Sequence, residues 1–368
     1  MNLSKNILFK LLILAPSLAF CQASSDCSDV TISSSTVSGS FAVDSYLESD
    51  GVRNGDDYYG STIYYPQNTA SLLPSIIIIP GYANPELSIQ AWGSFLASHG
   101  IVCMTIGTNS IFDEVLDRKI ALQDALISLK AEYARVNSPL FNSLDTNLVA
   151  LGGWSMGGGG AQLVAVEDPS IKAILAFCPW IDPSDVSPTL LNHSTPILIF
   201  SGQIDIVAPP GAHADIHYNY TPSSTDKLKY EVFGSGHTIA NTPLGGFGEV
   251  GRMGLSWLKK YLANDSCYCP LLLDVPTTAS EYQTNINCPA PNSIVDYKND
   301  LIIYPNPTNS TVTLKGVLNK SNLYRVLSSD GKIIKEGVLN TLEIDITYLK
   351  KGIYFLEYEN KKTKIIKN

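Results

Sequence analysis

Ser155 lies in the run Gly152-Gly153-Trp154-Ser155-Met156-Gly157-Gly158-Gly159-Gly160, six glycines around one hydroxyl. A phosphate cradle would need a lysine and then a serine or threonine after its glycines, and none follows Gly160. A dinucleotide fingerprint would need G-x-G-x-x-G at a strand–helix turn, and no frame of this run supplies it. What fits is Gly153-Trp154-Ser155-Met156-Gly157, a G-x-S-x-G, in which a strained turn presents the serine and glycines two residues to either side avoid the neighbouring backbone. A serine so placed does acyl transfer if a base lies within reach: it attacks a carbonyl, forms a covalent acyl intermediate and yields it to water. The chain offers five histidines for that base, His99, His193, His213, His217 and His237.

A turn of this kind needs a strand before it and a helix after it. Apolar, strand-like runs occur at 75–82, 101–108, 147–154, 173–180, 196–203 and 227–234, and several are near-continuous, as in parallel strands covered on both faces. Helical patterns fill the gaps, notably 112–136 and 247–262. The alternation predicts an α/β fold with a doubly wound, mostly parallel sheet, entered through antiparallel segments at 39–48 and 61–68. The serine then stands at the carboxyl edge of the sheet, where such folds place their sites.

In the α/β-hydrolase fold the chain order is serine, acid, histidine, with the acid after a late strand and the histidine after the last. His99 and His193 come too early, and His213 and His217 fall in the segment between acid and base. His237, in GSGHT, follows the last strand candidate and is the expected base; Asp205, in SGQIDIVAP, follows the strand before it and is the expected acid. Asp182 and Asp185 are rivals that read better as turn or helix caps. Ser155 would attack, His237 would carry the proton, and Asp205 would hold the imidazole tautomer and stabilise its cation. The oxyanion would be met by the amide of Met156 and by that of Tyr82 in PGYAN.

Taken in order, PGYANPELSIQAWGSFLASHGIVCMTIGTNS, GGWSMGGGG, CPW, SGQIDIVAP and GSGHT resemble the bacterial polyester hydrolases, a cutinase-like group related to dienelactone hydrolases that includes enzymes acting on poly(ethylene terephthalate). The resemblance spans 28–290; dienelactone hydrolases proper carry a cysteine nucleophile where this chain has Ser155. It implies a secreted, monomeric serine ester hydrolase for polymeric or small ester substrates, needing no metal and no cofactor. It also implies that Tyr82 and Met156 line the acyl pocket, that Trp180 is an aromatic wall with His213 packed against it, and that Trp154 and Val207 face substrate. Trp154 matches a less usual branch, since most cutinases have histidine beside the nucleophile. A disulfide that braces the acid and histidine loops of the best-known aromatic-polyester hydrolase has Gly202 and Ile239 at its positions here. The rival readings are a general carboxylesterase or lipase, and a non-catalytic surface binding protein on the same scaffold.

The remainder of the chain concerns export. The first 21 residues, with Lys5 and Lys10 before an apolar run too short to span a bilayer, read as a signal peptide cleaved after Cys21. Six cysteines then remain. Cys103 and Cys178 lie in apolar runs and read as buried thiols; Cys269 with Cys288 is the favoured bridge, and Cys27 with Cys267 is a further pairing left open. The catalytic region is expected over 28–290, a linker over 291–300, and a separate β module over 301–368. IIYPNPTNSTVTL and the lysine-rich end of that module resemble the C-terminal sorting domain of type IX secretion in Bacteroidetes, implying the secretion machinery as a partner. A small carbohydrate- or polymer-binding β module is the alternative. The formal charge of −9 leaves no basic stripe to replace phosphate counterions, which argues against nucleic acid. No stable membrane span is expected.

Overall fold

The alternation of side chains along the apolar runs decides the architecture. In the run Ile76-Ile77-Ile78-Ile79, Ile76 and Ile78 join one buried cluster and Ile77 and Ile79 another. Leu175 and Phe177 likewise oppose Ile174 and Ala176, and Leu198 and Phe200 oppose Ile197 and Ile199. A strand apolar on both faces must be covered on both, and this is the condition for a parallel, helix-covered sheet. The computed structural model describes residues 27, 29–51, 55–69, 71–288, 302–315, 323–328, 332–339, 341–358 and 361–368. The expected signal peptide with its cleavage point, and the expected linker, lie outside the described residues.

The chain divides into two compact units at residues 291 and 292. The first is built on nine strands: β1 (Val43–Leu47), β2 (Ser61–Pro66), β3 (Leu73–Ile79), β4 (Val102–Ile106), β5 (Leu144–Trp154), β6 (Ile174–Phe177), β7 (Ile197–Gly202), β8 (Lys227–Val232) and β9 (Ala279–Thr284). Their spatial order is β1-β2-β4-β3-β5-β6-β7-β8-β9. The six strands from β4 to β8 in that order are mutually parallel, and β1, β2 and β9 are antiparallel to their neighbours. The helices are α1 (Ile32–Thr36), α2 (Ala91–Ser98), α3 (Val115–Ala131), α4 (Met156–Glu167), α5 (Ala214–Tyr220), α6 (Glu249–Leu262) and α7 (Cys269–Leu273). Apolar residues of α3 and α4 cover one face of the sheet, and those of α2 and α6 the other. This is the α/β-hydrolase architecture expected from the sequence.

One part of the sheet escapes sequence reading. In the sequence the strand–helix pattern stops at residue 270, yet α7 and β9 follow, and β9 pairs with β8. β9 is ASEYQT, an edge strand with half-exposed and exposed residues, so it never needed the apolar run that marks its neighbours. Disulfides Cys27–Cys267 and Cys269–Cys288 tie down this end of the unit, while Cys103 and Cys178 are buried free thiols.

Strand order also creates the site. The chain passes from β3 outward to β4, then returns to β5 on the other side of β3. Ligands in open α/β sheets bind at such a switch point, outside the carboxyl ends of the strands. Ile79 at the end of β3 is in register with Gly153 of β5, which brings the segments around Tyr82 and Ser155 side by side.

The second unit is all β. β10 (Ile302–Tyr304), β11 (Thr311–Lys315) and β14 (Glu343–Asp345) form one antiparallel sheet; β12 (Leu323–Ser328), β13 (Ile333–Val338), β15 (Gly352–Tyr358) and β16 (Lys361–Lys367) form another. Val312, Leu314 and Ile344 from the first sheet share one core with Val326, Leu356 and Ile365 from the second, a small sandwich.

Candidate active site

Ser155 is the residue between the end of β5 and the start of α4. Its φ of 56° and ψ of −121° are rare for a residue with a side chain, and the surroundings hold it there. Its N–H donates to the carbonyl of Phe177 (2.8 Å), and its own carbonyl accepts from the N–H groups of Gly158 (2.9 Å) and Trp180 (2.9 Å). The flanking glycines are required by close approach. A Cβ on Gly153 would lie 2.2 Å from the Gly157 carbonyl carbon, and one on Gly157 would lie 2.7 Å from both the Ile79 and Pro80 oxygens. Gly81 comes just as close to the serine: a Cβ there would stand 2.8 Å from Ser155 Cβ.

Asp205 lies beyond the end of β7 and His237 beyond the end of β8. His237 Nδ1 and Asp205 Oδ2 are 2.7 Å apart, and Asp205 Oδ1 accepts from the N–H groups of Val207 (2.8 Å) and Ala208 (2.9 Å). Burial opposes ionisation of the Asp205 carboxyl, but the His237 hydrogen bond and these amides outweigh it and hold the carboxyl below its ordinary range. Two tryptophans anchor the histidine loop. Trp154 Nε1 donates to the His237 carbonyl (2.9 Å) with its ring 5.3 Å from the imidazole, and Trp92 Nε1 donates to the Ala240 carbonyl (2.9 Å). Trp154 precedes Ser155, so one side chain couples the serine turn to the Asp205–His237 pair.

Tyr82 is 42% exposed, and its ring packs on Phe112 at 5.7 Å. Met156 and Trp180 are half-buried. The Trp180 and His213 rings stack at 5.8 Å, and Val207 is exposed beside the acid. The remaining three histidines are engaged elsewhere. His99 bonds the Val37 carbonyl, while His193 and His217 are buried, and burial pushes them down to about 4 and about 3. Asp182, one of the rival acids, is occupied by the amide and hydroxyl of Ser184, as a turn cap would be.

Sequence reading missed two neighbours of this site. Cys178, taken there only as a buried thiol, places Sγ within 4.8 Å of both an Asp205 oxygen and a His237 nitrogen. Sulfur, oxygen and nitrogen donors could in principle gather a metal, but the Asp205 and His237 atoms already bond each other. The signal for Cys178 was its position just past β6, at the same sheet edge as the serine. The second is Trp92, whose anchoring of the histidine loop spans 148 residues of sequence and had no local signal.

Residues 22–289 match the PET hydrolase-like family, and residues 302–368 match the secretion system C-terminal sorting domain. Among curated relatives, cutinase est1 of Thermobifida alba is 32% identical over 223 residues, 61% of this chain and 72% of the relative. Cutinase 1 of Thermobifida cellulosilytica is 33% identical over 217 residues, covering 59% of this chain and 79% of the relative. A bis(hydroxyethyl) terephthalate hydrolase of Streptomyces coelicolor is 32% identical over 234 residues, 62% of this chain and 71% of the relative. The chain belongs to the PET hydrolase-like family.

Proposed function

We propose that this carboxylic ester hydrolase of the PET hydrolase-like family cleaves polyesters, cutin-like or aromatic, outside the cell, through a covalent acyl-enzyme on Ser155. The observation that carries the reading is the 2.7 Å Asp205–His237 bond, coupled through Trp154 to a serine in strained backbone. Asp205 fixes the tautomer with the proton on Nδ1, leaving Nε2 as the acceptor for the serine proton. As Ser155 Oγ attacks the ester carbonyl, that proton passes to His237, and the cation so formed is stabilised by the buried carboxylate. The developing oxyanion is met by the amides of Met156 and Tyr82, preorganised donors at a helix start and a tight loop. His237 then protonates the leaving alcohol, and a water activated by the same base releases the acid.

Tyr82, Met156, Trp154, Trp180, Val207 and His213 are proposed to contact substrate. Val207 and Tyr82 are exposed and Trp180 is half-buried, which suits a shallow cleft for a chain lying along the surface. The β unit at the C-terminus, with its match to a sorting domain, supports delivery by the type IX machinery. Among the described residues no helix is long and apolar enough to cross a membrane. We read the catalytic unit as a monomer.

Amorphous poly(ethylene terephthalate) film and an aliphatic polyester, incubated with the purified chain and with its Ser155→Ala variant, test the reading. Release of soluble monomers by the active form alone is expected. Cleavage of a p-nitrophenyl ester with no product from either polymer would move the function to small-ester hydrolysis.

A further inference from the structure

Among the described residues of the first unit two arginines are wholly buried, and they are treated differently. Arg252 on α6 is paired with the carboxylates of Glu249 and Asp274, and also donates to the Leu271 and Asp274 carbonyls. Arg118, in the first turn of α3, makes no ion pair among the described residues, and its Nε is buried with no hydrogen-bond partner. Burial lowers its pKa to about 10, against the pull of Asp113, Glu114 and Asp117, so it remains a cation at neutral pH. Burying a cation without a paired anion is unfavourable unless its donors are used.

Those donors go to one place. Arg118 Nη1 donates to the carbonyl of Pro80 (2.9 Å) and Nη2 to the carbonyl of Ile111 (3.1 Å). The Ile111 carbonyl also accepts from the N–H of Ala83 (2.7 Å). The guanidinium therefore grips residues 80–83 on both sides of Tyr82, directly at Pro80 and through Ile111 at Ala83. Ala83 has a φ of 59°, so this loop is held away from relaxed backbone. The Pro80 oxygen is also the atom that a Cβ on Gly157 would strike, so the same carbonyl abuts the serine turn.

We infer that Arg118 is a positioning residue for ester hydrolysis, its planar fork fixing the Pro80–Ala83 loop so that the Tyr82 amide meets the oxyanion. The inference rests on the reading of Tyr82 as an oxyanion donor. A lysine supplies one point charge and cannot span two carbonyls with fixed geometry; a glutamine removes the buried charge and can serve only one of them.

The test uses the full chain with Arg118→Lys and Arg118→Gln. Active sites are counted by stoichiometric release of p-nitrophenol from an organophosphate, so that kcat is expressed per functional serine. Removing one oxyanion donor lowers kcat by about 10²- to 10³-fold, and misplacing one should cost less, on the order of 10- to 100-fold for both variants. KM for a p-nitrophenyl ester should change by less than about threefold, since the ground-state carbonyl gains little from the donor. Inhibition by an arylboronic acid, which forms a tetrahedral adduct on serine, should weaken by the same factor as kcat/KM.

A structural role alone would lower the thermal midpoint and the count of active sites while leaving kcat per site unchanged, and that result would overturn the inference. So would a wild-type boronate affinity in a variant with reduced kcat. If Ser155→Ala kept its activity, the proposed function would fall instead, whatever Arg118 does.

Discussion

The Ser155 side and the Asp205–His237 side of the site are held in different proportions by steric and polar contacts. Around Ser155 the contacts are backbone on backbone: Gly153, Gly157 and Gly81 each approach a neighbour too closely for a Cβ, and the turn is buried. Around Asp205 and His237 there is also such a contact, Gly202 against the Ser235 and Gly236 carbonyls, and beyond it hydrogen bonds do the holding, on loops whose flanks are open. Ile204 is 62% exposed, Ile206 91% and Phe233 70%. The difference teaches what each side should tolerate. Steric placement is unforgiving of added atoms and indifferent to protonation. Placement by polar contacts tolerates surface change but fails when one bond is lost.

The sharpest break is removal of the proposed nucleophile. Ser155→Ala should lower turnover of a p-nitrophenyl ester on the order of 10⁴-fold or more, with an unchanged thermal midpoint, as a triad that acts as a unit requires. Asp205→Asn tests the polar side. It keeps the shape but allows the wrong tautomer, and kcat should drop roughly 10³- to 10⁴-fold with the fold intact. A drop of less than tenfold would mean that the carboxylate does not orient His237.

Gly157→Ala probes the steric side directly. The new methyl would sit 2.7 Å from two carbonyl oxygens, and the backbone shift should cost about 1–3 kcal/mol, read as a lower denaturant midpoint. Gly236→Ala is its counterpart on the histidine loop. A Cβ there meets nothing within 4 Å, so stability should stay within about 0.5 kcal/mol. Equal losses in the two alanine variants would dissolve the contrast.

Acid exposes a polar weak point behind the serine helix. Gln162 donates to the Gly158 carbonyl (3.0 Å), and His217 Nδ1 lies 2.9 Å from Gln162 Nε2. His193 and His217 are buried and neutral, with pKa pushed down from 6.5 to about 4 and about 3. The unfolded chain therefore takes up protons below pH 6.5 that the folded chain refuses. Stability should be full above that pH and fall from about 6.5 toward 4, by up to about 1.4 kcal/mol per pH unit for each histidine. Asp205, held below its ordinary range, adds stability above the usual carboxylate range that is lost only as pH falls through its lowered pKa. A thermal midpoint constant from pH 7 to 4 would contradict the first of these.

Much of this was legible in sequence because it is local. The G-x-S-x-G turn and the doubly apolar strands β3 to β7 announce themselves within a few residues, and strand order then locates the edge where a site can form. What was illegible is non-local or unmarked. β9 is an edge strand with polar residues and no apolar run. Trp92 reaches the histidine loop from α2. Arg118 looks like any charged residue in the first turn of a helix, where its acidic neighbours suggest a solvated face, and only its burial shows otherwise. Cys178 reads as core until Asp205 and His237 are placed beside it.

The most direct test of the account is to locate the covalent intermediate. The chain is treated with an excess of a p-nitrophenyl phosphonate, digested, and its peptides are weighed. The expected result is one phosphonyl group per molecule, on Ser155, with labelling slowed strongly in Asp205→Asn and absent in Ser155→Ala. A label on any other residue, or full esterase activity in a chain that takes no label at Ser155, would contradict the account.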